Sequence, residues 1–117
     1  MISRIGLSLE SLTMALLVCS SAAWAEPTQF VVRRDQLSHC LDRYAQANLS
    51  QYADQAGGGD RLARRLFRAA VHECRIEVEQ FRRITNAKQF REELSHQSDQ
   101  IVRYYSNRIE AERDSAI

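Results

Sequence analysis

From residue 35 onward the apolar positions recur every three or four residues, which is the period of helices buried along one face. The first such run is Leu37, Cys40, Leu41, Tyr44, Ala45, Asn48 and Tyr52. It predicts a helix from about Asp35, as N-cap, to Ala56, preceded by a short extended lead-in, "QFVVRR". Gly57, Gly58 and Gly59 end it, because glycine readily supplies a left-handed residue after a helix. Asp60 then suits the N-cap of a second helix. There Phe67, Val71, Cys74, Val78 and Phe81 form one apolar seam in alternating steps of four and three. A third helix starts at Asn86, with Gln89 three residues on completing a capping box. Its stripe is Phe90, Leu94, Ile101, Tyr105 and Ile109, flanked by Val102 and Tyr104. Gln97 and Ser98 interrupt that stripe, so this helix is expected to be the least firmly packed. No glycine or proline marks the junction "RITNAK". The seam nevertheless loses its phase there, with Lys88 and Glu92 where it would continue, which favours a break over one continuous rod.

The fold class that follows is all-α: an antiparallel helical hairpin with a third helix packed on it. A tight glycine turn forces the first two helices to run antiparallel. Cys40 lies 17 residues before Gly57 and Cys74 lies 14 after Asp60. At about 1.5 Å per residue the two cysteines stand within a turn of the same height, each on its helix's apolar face. That placement meets the distance requirement of a disulfide.

The first 25 residues change how the cysteines are read. Arg4, the apolar run "LTMALLVC" and the A-x-A pattern Ala23-Trp24-Ala25 spell a secretory signal peptide. The run is too short and too serine-rich to span a bilayer, which takes about 20 apolar residues. Residues 1–25 are therefore expected to be removed, leaving 26–117 as a single small domain, periplasmic or secreted, with no transmembrane helix. Cys19 leaves with the signal, and an even pair remains, Cys40 and Cys74. In an exported chain an even pair argues for a structural disulfide. Loss of Arg4 and Glu10 cancels, so the net charge stays at +1.

The pattern "HC" on one helix, a glycine turn, then "RLARRLFRAAVHEC" resembles small exported bacterial proteins of uncharacterised function that carry two cysteines on a helical hairpin. The resemblance covers residues 35–80 and implies the hairpin and its export, with no activity attached. Size and a single disulfide also resemble those of periplasmic acid-stress chaperones, an analogy without a shared motif.

Motifs for chemistry fail on spacing. "HEC" at 72–74 is not a zincin motif, because the second histidine would fall at Ile76. His39, Cys40, His72 and Cys74 do not make a zinc site, since residues one or two apart on a helix point away from each other. Neither cysteine has a Cys-x-x-Cys partner, no nucleophile elbow occurs, and the glycines lack the Lys-Ser/Thr of a phosphate loop. "NLS" at 48–50 matches a glycosylation triplet in mid-helix, read as chance. No cofactor or metal is expected.

One feature stands apart. Lys88 is the single lysine, and the remaining basic residues are arginines. On a helical wheel Arg61, Arg64, Arg68, Arg75 and Arg82 fall within about 60°, with Arg65 and Arg83 just behind. Glu73 and Glu77 take the opposite flank. Two readings follow. In the first, the third helix returns "EAERD" (Glu110, Glu112, Asp114) to the arginines and pairs with them internally. In the second, the stripe docks an anionic partner, for which the planar guanidinium fork is suited. Export makes nucleic acid an unsuitable ligand and leaves an acidic protein face, anionic lipid or an envelope polymer. The function expected is a non-enzymatic binding or interaction module. The alternative is a pH-responsive chaperone or envelope-stress protein, in which His39, His72 and His96 gain charge on acidification. A small hydrolase or redox enzyme comes third.

Overall fold

The computed structural model describes residues 26–115, so the signal-peptide reading and Cys19 lie outside the described residues. Four helices follow one another: α1 (Glu26–Ala53), α2 (Gly59–Glu73), α3 (Arg75–Arg83) and α4 (Ala87–Ser115). No strand occurs among the described residues. α1 and α2 form the hairpin, α3 continues α2 along α1, and α4 returns over the hairpin against both α1 and α2. The all-α expectation holds, with its helix boundaries moved.

The lead-in "QFVVRR" is helical, not extended. Its β-branched residues cost a helix only a few tenths of a kcal/mol each, and packing outweighs that cost. The Phe30 ring lies 5.4 Å from that of Phe81, which in turn stands 6.3 Å from Phe90. Asp35 is therefore a mid-helix residue rather than a cap, 3.6 Å from Arg34.

The glycine turn carries the largest set of long-range polar contacts. α1 ends at Ala53, three residues earlier than its periodicity suggests. Gly57 takes φ 126°, which side chains disfavour, and a Cβ on Gly59 would stand 2.7 Å from the Ser106 carbonyl oxygen. The first glycine turns the chain and the last admits α4 at backbone contact. α4 then satisfies the groups that the two helix ends leave open. Arg113 donates from Nε to the Ala53 carbonyl at 3.1 Å, from Nη1 to that of Gly57 at 2.6 Å, and from Nη2 to that of Gln55. The Gly59 N–H donates to Glu110 Oε1 at 2.9 Å. Asp60 is consequently not the N-cap of α2. Gly58 takes that place without a side-chain bond, because the carboxylate that a capping residue would offer comes from Glu110 instead. Asp60 sits in the first turn and accepts from Arg64 Nε at 3.1 Å.

The second expected helix is two. At Cys74 the backbone turns to φ −91°, ψ 26°, although its N–H still donates to Ala70 O (2.8 Å) and its carbonyl accepts from Val78 (3.0 Å). This break coincides with the Cys40–Cys74 disulfide, whose Cα atoms are 6.0 Å apart. The buried face of α2 is also wider than one seam: Leu62, Ala63, Leu66, Phe67 and Ala70 are all buried, while Val71 and Val78 are partly so. A helix packed between two neighbours needs a broad apolar face rather than a narrow one.

The junction before α4 breaks as its sequence indicates. Thr85 Oγ1 donates to the Phe81 carbonyl at 2.9 Å. The Asn86–Gln89 capping box forms reciprocally, at 3.1 and 2.8 Å. The expectation of a loosely packed last helix does not hold from Gln97 onward. Gln97, Ile101, Val102, Tyr105 and Ile109 are buried. Gln97 keeps its place in that row by donating to Glu93 at 3.1 Å. Tyr105 donates its hydroxyl proton to Asp42 Oδ1 at 2.7 Å, tying α4 to α1.

Two predictions rest on these contacts. Arg113→Ala removes a charged donor from several carbonyls at once, and hydrogen bonds to charged groups are worth about 1.5–3 kcal/mol each. Urea unfolding is expected to show a loss of about 2–3 kcal/mol, with Arg113→Lys recovering little of it because an ammonium lacks the planar fork. The second concerns Tyr105, whose pKa is pushed up by burial first and then by the Asp42 hydrogen bond and charge. A raised folded-state value favours the protonated form. Its contribution is therefore complete below the ordinary tyrosine value of about 10 and is lost as pH rises beyond it. Tyr105→Phe is expected to cost about 1–2 kcal/mol at neutral pH and to flatten the alkaline arm of the stability profile.

Candidate functional site

The arginines of α2 and α3 lie on the side of the helix away from the core. Arg61, Arg64, Arg65, Arg68, Arg75, Arg82 and Arg83 are all exposed, whereas Leu62, Ala63, Leu66 and Ala70 bury the opposite face. The sequence places the stripe beside the seam, and the wider buried face of α2 moves it outward into solvent.

Arg64 near the start of the row and Arg82 and Arg83 at its far end are neutralised locally. Asp60 accepts from Arg64 one turn on. Glu79 accepts from Arg82 Nε and Nη2 at 2.9 and 2.7 Å, and Arg83 stands 3.6 Å away. The Arg82 hydrogen bond holds the Glu79 carboxyl below the usual carboxylate range and raises the Arg82 guanidinium in turn. Arg61, Arg65, Arg68 and Arg75 have no carboxylate within ion-pair distance among the described residues. This bears directly on the internal-pairing alternative. α4 does bring "EAERD" to the start of α2, but Glu110 engages the Gly59 backbone there. Among the described residues neither Glu112 nor Asp114 forms an ion pair with an arginine of the stripe.

The open part of the row is Arg61, Arg65, Arg68 and Arg75, spanning about 21 Å at 1.5 Å per residue. His72 is exposed and falls between Arg68 and Arg75 on the same face. The series 61, 65, 68, 72, 75 is a plain steps-of-four-and-three pattern. Reading the histidines separately from the arginines hides it.

Around the disulfide the chemistry is closed. Cys74 is fully buried and Cys40 partly so. Cys40, Cys74 and Glu77 are the one group of potential metal donors close together among the described residues, and its two sulfurs are spent on each other. His39 and His72 stand outside that group. Between α1 and α4, burial first and then the Asp42 hydrogen bond and charge push the Tyr105 phenol up, and it donates its proton to Asp42. No helix among the described residues is long and apolar enough to cross a membrane.

No family model, curated protein or solved structure matches the chain. The resemblance to exported two-cysteine hairpin proteins therefore rests on the sequence pattern alone.

The geometry assigns the disulfide a structural part. Closing a loop with a sequence separation of 34 stabilises by about 3–4 kcal/mol in the chain-entropy treatment. Replacing Cys40 and Cys74 together with Ala is expected to lower the melting temperature by at least about 10 °C, at 4–8 °C per kcal/mol for a domain of this size. Circular dichroism at low temperature should keep its helical signal, and thiol titration of the unreduced wild-type protein should find neither cysteine free.

Proposed function

We propose that this protein is an exported, non-enzymatic binding module that docks an extended anionic partner along the outer face of α2 and the start of α3. The observation that carries this reading is the row Arg61, Arg65, Arg68 and Arg75, exposed on one face and without a carboxylate partner among the described residues. Stability of the helix does not account for the placement. Arg61, Arg64 and Arg65 occupy the first two turns of α2, where the helix dipole disfavours cations, and Asp60 answers only Arg64. A planar fork repeated along about 21 Å suits carboxylates or phosphates repeated along a chain.

Export is supported by the N-terminal sequence and by a disulfide, a bond that persists in oxidising compartments. Among the anionic partners considered, the row favours an envelope polymer. Its guanidinium groups repeat along one line, as the anionic groups of such a polymer do. A pH-responsive role draws support from one observation, the position of His72 within the row.

The test changes Arg61, Arg68 and Arg75 together to Gln and measures binding to polyphosphate, polyglutamate and anionic phospholipid vesicles. Exposed ion contacts are worth about 0.2–1 kcal/mol each, so about a tenfold loss of affinity for the polymer is expected. Added salt should mimic the loss, since screening at 0.1 M acts over about 10 Å. The melting temperature should stay within the small range usual for surface changes. Unchanged binding with a lowered melting temperature would return the row to a structural role.

A further inference from the structure

α4 covers one side of the hairpin. On the other side α1 and the α2–α3 rod enclose an open groove of about 1090 Å³ with the disulfide in its lining. The two walls carry opposite charge. Arg33 and Arg43 stand on the α1 wall, and Glu73 and Glu77 on the α2–α3 wall. None of these four forms an ion pair among the described residues. Arg33 spends its donors on neutral groups instead, reaching Gln80 Oε1 across the groove at 3.0 Å.

The same side carries exposed apolar surface. Ile76 lines the groove at 63 % exposure. Helical spacing places Ile84 on the face of Ile76 and Gln80, in steps of four, and Val32 on the face of Gln36 and Arg43. Val32 is 44 % exposed and Ile84 37 %. These are three of the five large apolar side chains exposed among the described residues. The arginines of the anionic-partner row do not line this groove.

We infer that the groove is a two-fold interface for a second copy of this chain, in which the basic α1 wall of each copy meets the acidic α2–α3 wall of the other. Symmetry and height both select this arrangement. A two-fold axis running along the helices lays α1 of one copy over α2–α3 of the other without shifting either along its length. An axis across the helices would lay α1 on α1 and set arginine against arginine. The disulfide fixes Cys40 level with Cys74, so Arg43 stands about 3 Å in height from the partner's Glu73 and Arg33 about 6 Å from the partner's Glu77, at 1.5 Å per residue. Both offsets lie within the reach of an arginine side chain. Such an interface is isologous, so each contact occurs twice. Ile76 and its neighbours supply the apolar area, and the charges fix orientation. An anionic membrane does not fit the face, because Glu73 and Glu77 repel it.

The test uses the processed chain, disulfide intact, in sedimentation-velocity and light-scattering runs up to about 100 µM, where micromolar complexes are well populated. The wild type is expected to dimerise, and Ile76→Glu to dissociate it without a change in melting temperature. Arg43→Glu alone and Glu73→Arg alone each set like charges face to face and should weaken self-association by about tenfold or more. Mixing the two variants in equal amounts restores opposite charges at both copies of the contact, so the mixture should dimerise like the wild type. Rescue on mixing is specific to contacts between chains, because each variant keeps its own internal mismatch. A wild type that stays monomeric throughout this range would overturn the inference, and so would a mixture no more associated than its components.

Discussion

The fold is closed by two side chains one turn apart on α4. Glu110 accepts from the first N–H of α2, and Arg113 donates to the last carbonyl of α1 and to the turn beyond it. Each charge faces the helix end that electrostatics favours: an anion at an N-terminus and a cation at a C-terminus. One short segment of the last helix thus supplies the polar partners that the hairpin's own turn cannot. Glycine has no side chain to cap with, and a Cβ at Gly59 would collide with α4 before Glu110 arrived. The glycines and the clamp therefore belong to one device. The turn is bare so that α4 can come close, and α4 comes close enough to complete it.

That device explains what periodicity conveys and where it stops. Elements with local causes were legible in the sequence: the hairpin, the Cys40–Cys74 pairing, the Asn86–Gln89 capping box and the break before α4. Elements decided by contacts far along the chain were not. Asp60 has the right chemistry for a cap, but the cap role passes to Glu110, 51 residues downstream of Gly59. "QFVVRR" has the composition of a strand, yet Phe30 gains more by joining Phe81 in a helix. Seam counting on α2 assumes one neighbour; the helix has two, and the real buried face is turned away from the arginines. Of the candidate site, the arginine positions and their common face were readable. Which of them stay unpaired was not, because that depends on Glu110 being engaged elsewhere and on Glu79 taking Arg82 and Arg83.

Charge on this molecule is sorted by face despite a net value of only +1. The outer side of α2 and α3 carries arginines of which only Arg64, Arg82 and Arg83 have a local carboxylate among the described residues. The groove side carries a basic wall and an acidic wall whose charged groups form no ion pair with each other. The α1–α4 contact holds its polar groups in satisfied pairs, Tyr105 with Asp42 being the clearest. Satisfied pairs fix a fold, whereas unsatisfied charges held on a rigid helix are available to something outside it. The first kind lies between packed helices, and the second lies on faces that none of the four described helices covers.

Packing also runs down along the molecule, and the disulfide sits where it changes. Toward the glycine turn α2 buries six residues between α1 and α4. Beyond Cys74, α3 buries one, Phe81, held in a ring cluster with Phe30 and Phe90. A cross-link in the dense half would add constraint where packing already provides it. Placed at the α2–α3 break, it fixes α3 to α1 where little apolar area does so. It does not cover the surface there, and Ile76, Ile84 and Val32 remain open to solvent on that side. A staple limits how far two helices separate without removing any water from their outer faces. Burying that surface takes another layer, and α4, committed to the clamp at the opposite end and to the other face of the hairpin, cannot provide it.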